Sequence, residues 1–240
     1  MGNSYFQFKQ FTIYHDRCAM KVGTDGVLLG AWCRVPEHGN VLDIGTGTAV
    51  IALMAAQRTA LSDVFIDAIE IDPEACSQAE ENVSASSWRD RISLYNTAFQ
   101  EYARRETVRY DCIVSNPPYF DNALLPPENV SRQAARHTVS LTYEELLSGA
   151  ARLLKPEGHI SIIYPADQDN RISGIAVRNG LWTSRKVWVK GRPDTAPKRV
   201  LIEWGLSPVD YEEETLVIET AHLAYTPEYV NLTRDFYLKM

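Results

Sequence analysis

The chain has 240 residues, of which 45% are hydrophobic and 23% are charged, and its formal net charge is −7. These values are typical of a globular protein with a single domain. No apolar stretch approaches the roughly 18 residues that a membrane-spanning helix needs, so we expect no membrane partner. The acidic balance counts against a broadly basic surface for nucleic acid, although it allows a local one.

The cysteines and the N-terminus give further limits. Cys18, Cys33, Cys76 and Cys112 are far apart and form no C-x-x-C pair. This spacing suggests neither a zinc site nor a disulfide framework, so we predict free thiols and no bound metal. Residues 1–6 lack the basic-then-apolar pattern of a signal peptide. We therefore expect a cytoplasmic protein.

The first predicted core elements form a strand–loop–helix unit. Residues 41–44 are mostly apolar and indicate a short strand, and apolar residues at helical spacing begin at Ile51. Between them, Gly45 and Gly47 have no Cβ, so the backbone can turn tightly and a ligand can approach it closely. The start of the helix adds free N–H groups and partial positive charge.

A second strand, residues 64–69, leads directly into an acid. Glu70 follows Gly47 by 70 − 47 = 23 positions. An acid near this distance from a glycine loop is placed to accept hydrogen bonds from ribose hydroxyls. We therefore predict that Glu70 binds the ribose of a nucleoside cofactor.

The loop does not match the dinucleotide fingerprint, because Val50 occupies the position of its third glycine. Instead, Asp43 precedes the glycines. An acid at this position would repel a pyrophosphate but suits a ligand that carries an ammonium group and no phosphate. S-adenosylmethionine has that form, so we predict it as the cofactor, bound by Asp43, Gly45, Gly47 and Glu70. An ordinary crossover without a ligand is the alternative.

Strands and helices continue to alternate after this unit. Asp72-Pro73-Glu74 is typical of a helix start, and Thr142 with Glu145 forms a capping-box pattern. Strands are predicted at 91–95, 110–115 and 159–164, helices at 72–85 and 142–155 and from 226, a further helix ending near 180, and an antiparallel pair at 187–189 and 200–204. The alternation predicts an α/β fold with a mostly parallel sheet and helices on both faces.

A tetrapeptide follows the predicted strand at 110–115. Asn116, Pro117, Pro118 and Tyr119 would lie at the carboxyl end of that strand, where open α/β sheets place their ligands. The prolines remove two backbone donors but leave their carbonyls. We predict that Asn116 and the Pro117 carbonyl accept the two hydrogens of a planar amine such as adenine N6, and that Tyr119 stacks on its ring. Turn statistics alone favour a plain turn, but the glycine loop and Glu70 reverse that preference.

Two groups of basic residues are candidates for RNA contacts. Residues 120–141 show little periodicity, which in a stretch of this length usually indicates a functional or mobile loop. Arg132 and Arg136 in this stretch follow the tetrapeptide, and we predict that they bind substrate phosphates. The second group comprises Arg185, Lys186, Lys190, Arg192, Lys198 and Arg199. Scattered solvated charge is an equally good interpretation of the second group.

These features resemble the class I methyltransferases that modify exocyclic amines. Residues 15–32, 55–59, 115–119 and 236–238 are similar, in the same order, to the bacterial tRNA1(Val) (adenine-N6)-methyltransferases. The resemblance implies a Rossmann-like fold with a mostly parallel seven-stranded sheet. It also implies S-adenosylmethionine-dependent methylation of adenine N6 in tRNA, with tRNA1(Val) near the anticodon as the expected target. We expect one domain over 1–240 and a monomer.

The resemblance also implies roles for the N-terminal segment. Residues 1–38 would form a cap over the cofactor site, in which Gly23, Thr24 and Asp25 close over the methionine end of the cofactor and Lys21 assists. Many relatives have an acid at the end of the third strand. Here the aligned position is Phe99, whose ring we expect to stack on the cofactor adenine. Ala49 replaces the third glycine of the loop.

Other functions remain open at this stage. An N5-glutamine methyltransferase acting on a release factor uses the same tetrapeptide, but it carries a helical N-terminal domain for which 38 residues leave little room. A DNA adenine methyltransferase would need a target-recognition domain. A nicotinamide oxidoreductase is disfavoured by Val50, and a non-catalytic RNA-binding module is disfavoured by the intact tetrapeptide at Asn116.

Overall fold

The computed structural model describes residues 3–18, 20–59, 63–118 and 141–240. Its strands are β1 (Tyr5–Gln7), β2 (Thr12–Tyr14), β3 (Gly39–Ile44), β4 (Val64–Glu70), β5 (Ile92–Asn96), β6 (Tyr110–Ser115), β7 (Leu154–Pro165), β8 (Trp182–Lys190), β9 (Arg199–Gly205), β10 (Glu212–Val217), β11 (Glu219–Ala221) and β12 (Ala224–Tyr225). Its helices are α1 (Thr24–Trp32), α2 (Val50–Arg58), α3 (Pro73–Ser84), α4 (Phe99–Arg105), α5 (Tyr143–Leu153), α6 (Asp169–Arg178) and α7 (Pro227–Thr233).

The central sheet has the strand order β10-β8-β9-β7-β6-β3-β4-β5. Strand β9 is antiparallel to both of its neighbours, β7 and β8, whereas the remaining pairs are parallel. The predicted mostly parallel sheet and the predicted antiparallel pair are therefore confirmed. The described part of the chain contributes eight strands to the sheet, one more than predicted, because β10 adds to its edge beside β8.

Local capping signals fix where several helices begin. The Asp72 side chain accepts hydrogen bonds from the N–H groups of Glu74 and Ala75 at the start of α3. Thr142 and Glu145 form the predicted capping box of α5. Such caps satisfy backbone donors that have no partner within the helix. Strand β7 begins at Leu154, earlier than predicted, because the strand continues through an irregularity opposite β6.

Neighbouring residues of one strand contribute to different hydrophobic cores. Val41 packs with residues of α1, α2 and α3, whereas Leu42 packs with residues of α4, α5 and α6. Since successive side chains of a strand point to opposite faces, helices cover both faces of the sheet, as predicted. Because both faces of β3 and β6 are buried in these cores, the two strands are apolar along most of their length.

The described part of residues 1–38 packs on the α1 side of the sheet. Strands β1 and β2 form an antiparallel hairpin, and Phe8, Phe11 and Ile13 from this region are buried in the same core as α1 and α2. The four cysteines are free thiols. In the described ranges, no helix has the length and apolar character to cross a membrane, and no group of three or more His, Cys, Asp or Glu side chains is arranged to hold a metal ion.

Candidate active site

The ends of three strands, β3, β4 and β6, bring the predicted site residues into one row. Ile44 of β3 pairs with Ile69 of β4 on one side and with Ser115 of β6 on the other. The next residues along these strands, Gly45, Glu70 and Asn116, therefore lie side by side. From β3 the chain adds β4 and β5 on one side of the sheet and then β6 and β7 on the other. Open α/β sheets bind ligands at such a topological switch point, which here lies between β3 and β6.

The glycine loop, residues 45–49, takes a left-handed backbone at three positions. The φ angles are +69° at Gly45, +57° at Gly47 and +64° at Ala49. A Cβ added at Gly45 or Gly47 would meet no described atom within 4 Å, so the loop borders open space. The space allows a ligand to approach the backbone closely. Ala49 adopts the left-handed conformation with a side chain, and this conformation is costly for residues other than glycine.

Asp43, at the end of β3, is a fully buried carboxyl with one unsatisfied oxygen. Its Oδ2 accepts hydrogen bonds from the Thr46 hydroxyl at 2.6 Å and from the Ala52 N–H at 3.1 Å. Its Oδ1 has no hydrogen-bond partner within the described chain. Burial raises the pKa of Asp43 to about 7, although both hydrogen bonds act in the opposite direction. A cationic ligand group would stabilise the ionised form, so the site fits the ammonium group of S-adenosylmethionine.

Glu70 links the end of β4 to the glycine loop. One carboxylate oxygen accepts the N–H of Gly47 at 2.9 Å, and the other accepts the N–H of Asp72 at 2.9 Å. Each oxygen retains capacity for a second hydrogen bond, because a carboxylate can accept about four. Glu70 therefore has a structural role that the sequence did not indicate, and its predicted contact with a ribose stays a prediction.

Asn116 and Pro117 follow directly after β6. The Ser115 hydroxyl donates to the carbonyl of Ile44 at 2.8 Å, which ties the end of β6 to the end of β3. Asn116 is half-buried and Pro117 is buried. The predicted site residues Tyr119, Arg132 and Arg136 lie outside the described residues.

The first turn of α1 lies against Asn116. A Cβ added at Gly26 would lie 3.9 Å from Asn116 Nδ2 and 3.5 Å from Val50 Cγ1 at the start of α2. Asp25 Oδ2 accepts a hydrogen bond from Arg199 Nε of β9 at 2.7 Å. The residues of this turn therefore adjoin the row of strand ends.

The remaining residues of this segment carry the other predicted cofactor contacts. Gly23 is the N-cap residue of α1 and Thr24 its first residue, whereas Lys21 is exposed on the segment before the helix. Their contacts with the cofactor, and the interpretation of residues 1–38 as a cap, stay predictions. The pairing of Asp25 with Arg199 had no signal in the sequence.

Phe99 is packed differently from the other predicted cofactor residues. It follows the end of β5 at Asn96 by three positions and begins α4. Its ring is buried so close to Gly149 of α5 that a Cβ there would lie 2.6 Å from it. This packing gives no support to stacking on adenine, which stays a prediction. The residue in the row beside Glu70 is Asn96, whose Nδ2 donates to the Glu70 carbonyl at 2.9 Å.

Solved structures with similar folds are methyltransferases. A predicted O-methyltransferase from Agrobacterium tumefaciens superposes with a TM-score of 0.67 at 16% identity, covering 88% of this chain and 96% of its own. A putative class I S-adenosylmethionine-dependent methyltransferase from Listeria monocytogenes gives a TM-score of 0.58 at 15% identity, with 86% of this chain and 65% of its own covered. At such identities the likeness shows the fold, and it confirms the predicted Rossmann-like methyltransferase architecture.

Sequence relatives match over the full length. Proteins named tRNA1(Val) (adenine(37)-N6)-methyltransferase are 47% identical in Bacteroides fragilis and 48% identical in Trichodesmium erythraeum, each covering 100% of this chain and 100% of the relative. The protein of that name from Tolumonas auensis is 43% identical and also covers the whole of this chain. The family model for the methyltransferase small domain matches residues 22–172. The chain therefore belongs to the methyltransferase small domain family, and within it to the group of these full-length relatives.

Proposed function

We propose that this protein transfers a methyl group from S-adenosylmethionine to N6 of an adenine in tRNA, with tRNA1(Val) near the anticodon as the expected target. The observation that carries the proposal is the position of Asn116 and Pro117, which directly follow β6 and lie beside the glycine loop at the switch point of the sheet. The names of the full-length relatives support the same reaction. We further propose that the enzyme acts in the cytoplasm as a monomer.

The cofactor would lie over the row of strand ends. The unsatisfied Oδ1 of Asp43 and the open space at the glycine loop support this position. When bound, the cofactor supplies a methyl group on a sulfonium, which is already a good leaving group. The residues that we propose to hold it are Lys21, Gly23, Thr24, Asp25, Asp43, Gly45, Gly47 and Glu70.

The chain's own contribution is to orient the adenine amine. The N6 nitrogen is a poor nucleophile because its lone pair is delocalised into the ring. We propose that Asn116 Oδ1 and the Pro117 carbonyl accept its two hydrogens, which favours a pyramidal nitrogen and frees the lone pair. Tyr119 would stack on the base after it leaves the RNA stack. The catalytic effect comes from positioning and from fixed dipoles, and the proton leaves to solvent after the transfer.

The structure favours Asn116 as the residue for the decisive test. The hydrogen bond of Ser115 holds the backbone just before Asn116, and the first turn of α1 lies against the Asn116 side chain. The position of the Asn116 amide is therefore restricted by its neighbours. We expect Asn116→Ala to lower turnover on a tRNA transcript by about 100-fold, the usual loss for one preorganised polar group. Mass spectrometry of nucleosides after reaction with each tRNA would measure the N6-methyladenosine formed.

Calorimetry with S-adenosylhomocysteine should show nearly unchanged affinity for Asn116→Ala, because the amide acts on the base. Asn170→Ala, a substitution of an exposed asparagine on α6, is the matched control and should retain full turnover. Near-normal turnover of Asn116→Ala would show that the tetrapeptide is only a turn. Methyl transfer to a glutamine of a release-factor fragment, with none to tRNA, would replace the proposed reaction by protein methylation.

A further inference from the structure

The basic residues between 185 and 199 separate into paired and unpaired side chains. Lys186 pairs with Asp169 at 2.9 Å and Arg199 pairs with Asp25 at 2.7 Å. The others with partners are Arg185, which lies 3.8 Å from Glu203 and over the Trp32 ring, and Lys190, which donates to the Pro193 carbonyl. Arg192 and Lys198 are exposed, and their charged groups have no partner in the part of the chain that the structure describes. These two charges remain available for a ligand.

The β8–β9 loop, residues 191–198, holds these two charges on an ordered frame. The Lys198 N–H donates to the Val189 carbonyl at 2.9 Å, and the Thr195 hydroxyl donates to the Arg192 carbonyl at 2.9 Å. The Lys198 carbonyl also accepts the N–H of Ala166, which follows β7. Since the backbone is held at its base and across its turn, a ligand would have less chain to order on binding.

The loop lies at the same edge of the sheet as Asn116. Strand β9 begins at Arg199, which pairs with Pro165 at the carboxyl end of β7. Arg199 also bonds to Asp25, and the next residue of α1, Gly26, lies against Asn116. Lys198 is thus one residue from a side chain that contacts the same helical turn as the proposed catalytic amide.

We propose that Arg192 and Lys198 bind backbone phosphates of the tRNA next to the adenine that is methylated. The inference rests on the proposed function. The protein has a net charge of −7, so it needs a local basic surface to bind a polyanion, and Arg192 and Lys198 provide one. Phosphate contacts of this kind position the RNA without reading its sequence. Asp194, exposed in the same loop, reduces the positive charge of the surface.

The test is the salt dependence of tRNA binding by the Arg192→Ala, Lys198→Ala double variant. Each phosphate contact contributes about 0.9 to the slope of log affinity against log salt for duplex nucleic acid and about 0.7 for single strands. We expect the slope to flatten by about 1.4–1.8 and the affinity to fall by about tenfold at moderate salt. Affinity for S-adenosylhomocysteine should stay the same, which shows that the variant is folded.

Two further variants sharpen the test. Arg89→Ala with Arg109→Ala removes two exposed charges that precede β5 and β6, at the opposite edge of the sheet, and should leave the slope unchanged. Asp194→Asn should tighten tRNA binding. Equal slopes for the wild type and the Arg192/Lys198 variant would overturn this inference while methylation by the wild type still supported the proposed function. A flattened slope, with no methylation by the wild type, would support the surface and contradict the reaction.

Discussion

Glu203 and Asp43 are two fully buried carboxylates of the same sheet, and they differ in their charged partners and in the direction of their pKa shifts. Glu203 of β9 accepts hydrogen bonds from Arg34, with Nε at 3.1 Å, and from the Ser184 hydroxyl at 2.8 Å, and it has Arg185 and His159 nearby. Burial opposes its ionisation, but Arg34 and the other partners outweigh that effect and hold the pKa of Glu203 below its ordinary value. Among the described residues, none places a cationic group of this kind beside Asp43 of β3, and burial raises the pKa of Asp43 to about 7.

The difference separates a carboxylate whose partners the described chain completes from one whose partners it does not complete. Removing a charge from water is costly unless the charge is paired and hydrogen-bonded. Residues of this chain supply the hydrogen bonds and the positive charge that Glu203 needs. One of them, Arg34, follows α1 and so connects the end of that helix to the sheet. At Asp43, the described residues leave Oδ1 without a hydrogen-bond partner, and the glycine loop that follows in the chain borders open space. We interpret the incomplete carboxylate as part of the cofactor site.

Neutralising Glu203 should have the largest effect on stability. Glu203→Gln leaves Arg34 and Arg185 without their carboxylate, and breaking a buried ion pair typically costs about 3–5 kcal/mol. We expect about 3 kcal/mol, the lower end, because the Arg34 side chain is 55% exposed and can turn towards water. Urea denaturation measures the loss. Glu144→Gln, which breaks a solvent-exposed pair with Arg178, should lower the free energy of unfolding far less than Glu203→Gln does.

The pH dependence of stability checks the same residue. Because the pKa of Glu203 is lowered by folding, its contribution is present above the unfolded value of about 4.3 and is lost as the pH falls through the folded value. The gap in stability between wild type and Glu203→Gln should therefore narrow in acid. A gap that is the same at pH 7 and at acid pH would contradict the structural role.

The pH dependence of stability at Asp43 should have the opposite sign. Its pKa is raised to about 7, so its contribution to folding stability falls as the pH rises from about 4 to about 7. A cofactor ammonium favours the ionised form. Affinity for S-adenosylhomocysteine should therefore rise about tenfold from pH 6 to pH 8, as the ionised fraction increases. Calorimetry with Asp43→Asn should show weaker binding without that rise, and an unchanged pH profile would remove Asp43 from the cofactor site.

The smallest expected effect is at Ala49 in the glycine loop. Its left-handed backbone costs about 1–2 kcal/mol. Glycine relieves this cost but loses about 0.5–1 kcal/mol of backbone entropy. We expect Ala49→Gly to stabilise the protein by about 0.5 kcal/mol in urea denaturation. Leu223→Gly is the control, because it also places glycine at a left-handed position, but in an exposed turn, where no buried side chain is lost. Destabilisation of Ala49→Gly alone would mean that the buried Ala49 methyl group matters more than the strain.

The parts of the molecule that follow from neighbouring residues were predicted well. Asp72 caps α3, Thr142 and Glu145 cap α5, and the runs before Gly45 and Asn116 are the strands β3 and β6. Strand β10 was missed, because Glu212, Glu213 and Glu214 carry no apolar alternation and the strand pairs only at an edge of the sheet.

The amino-acid sequence by itself determined the class of fold, the glycine loop and the tetrapeptide, since each depends on residues a few positions apart. The tertiary structure alone decided which charges meet. Asp25 and Arg199 are separated by 174 positions, and Arg34 and Glu203 by 169. Such pairs depend on strand order and register, which local patterns do not specify. For the same reason, the sequence could not distinguish the completed carboxylate of Glu203 from the incomplete one of Asp43.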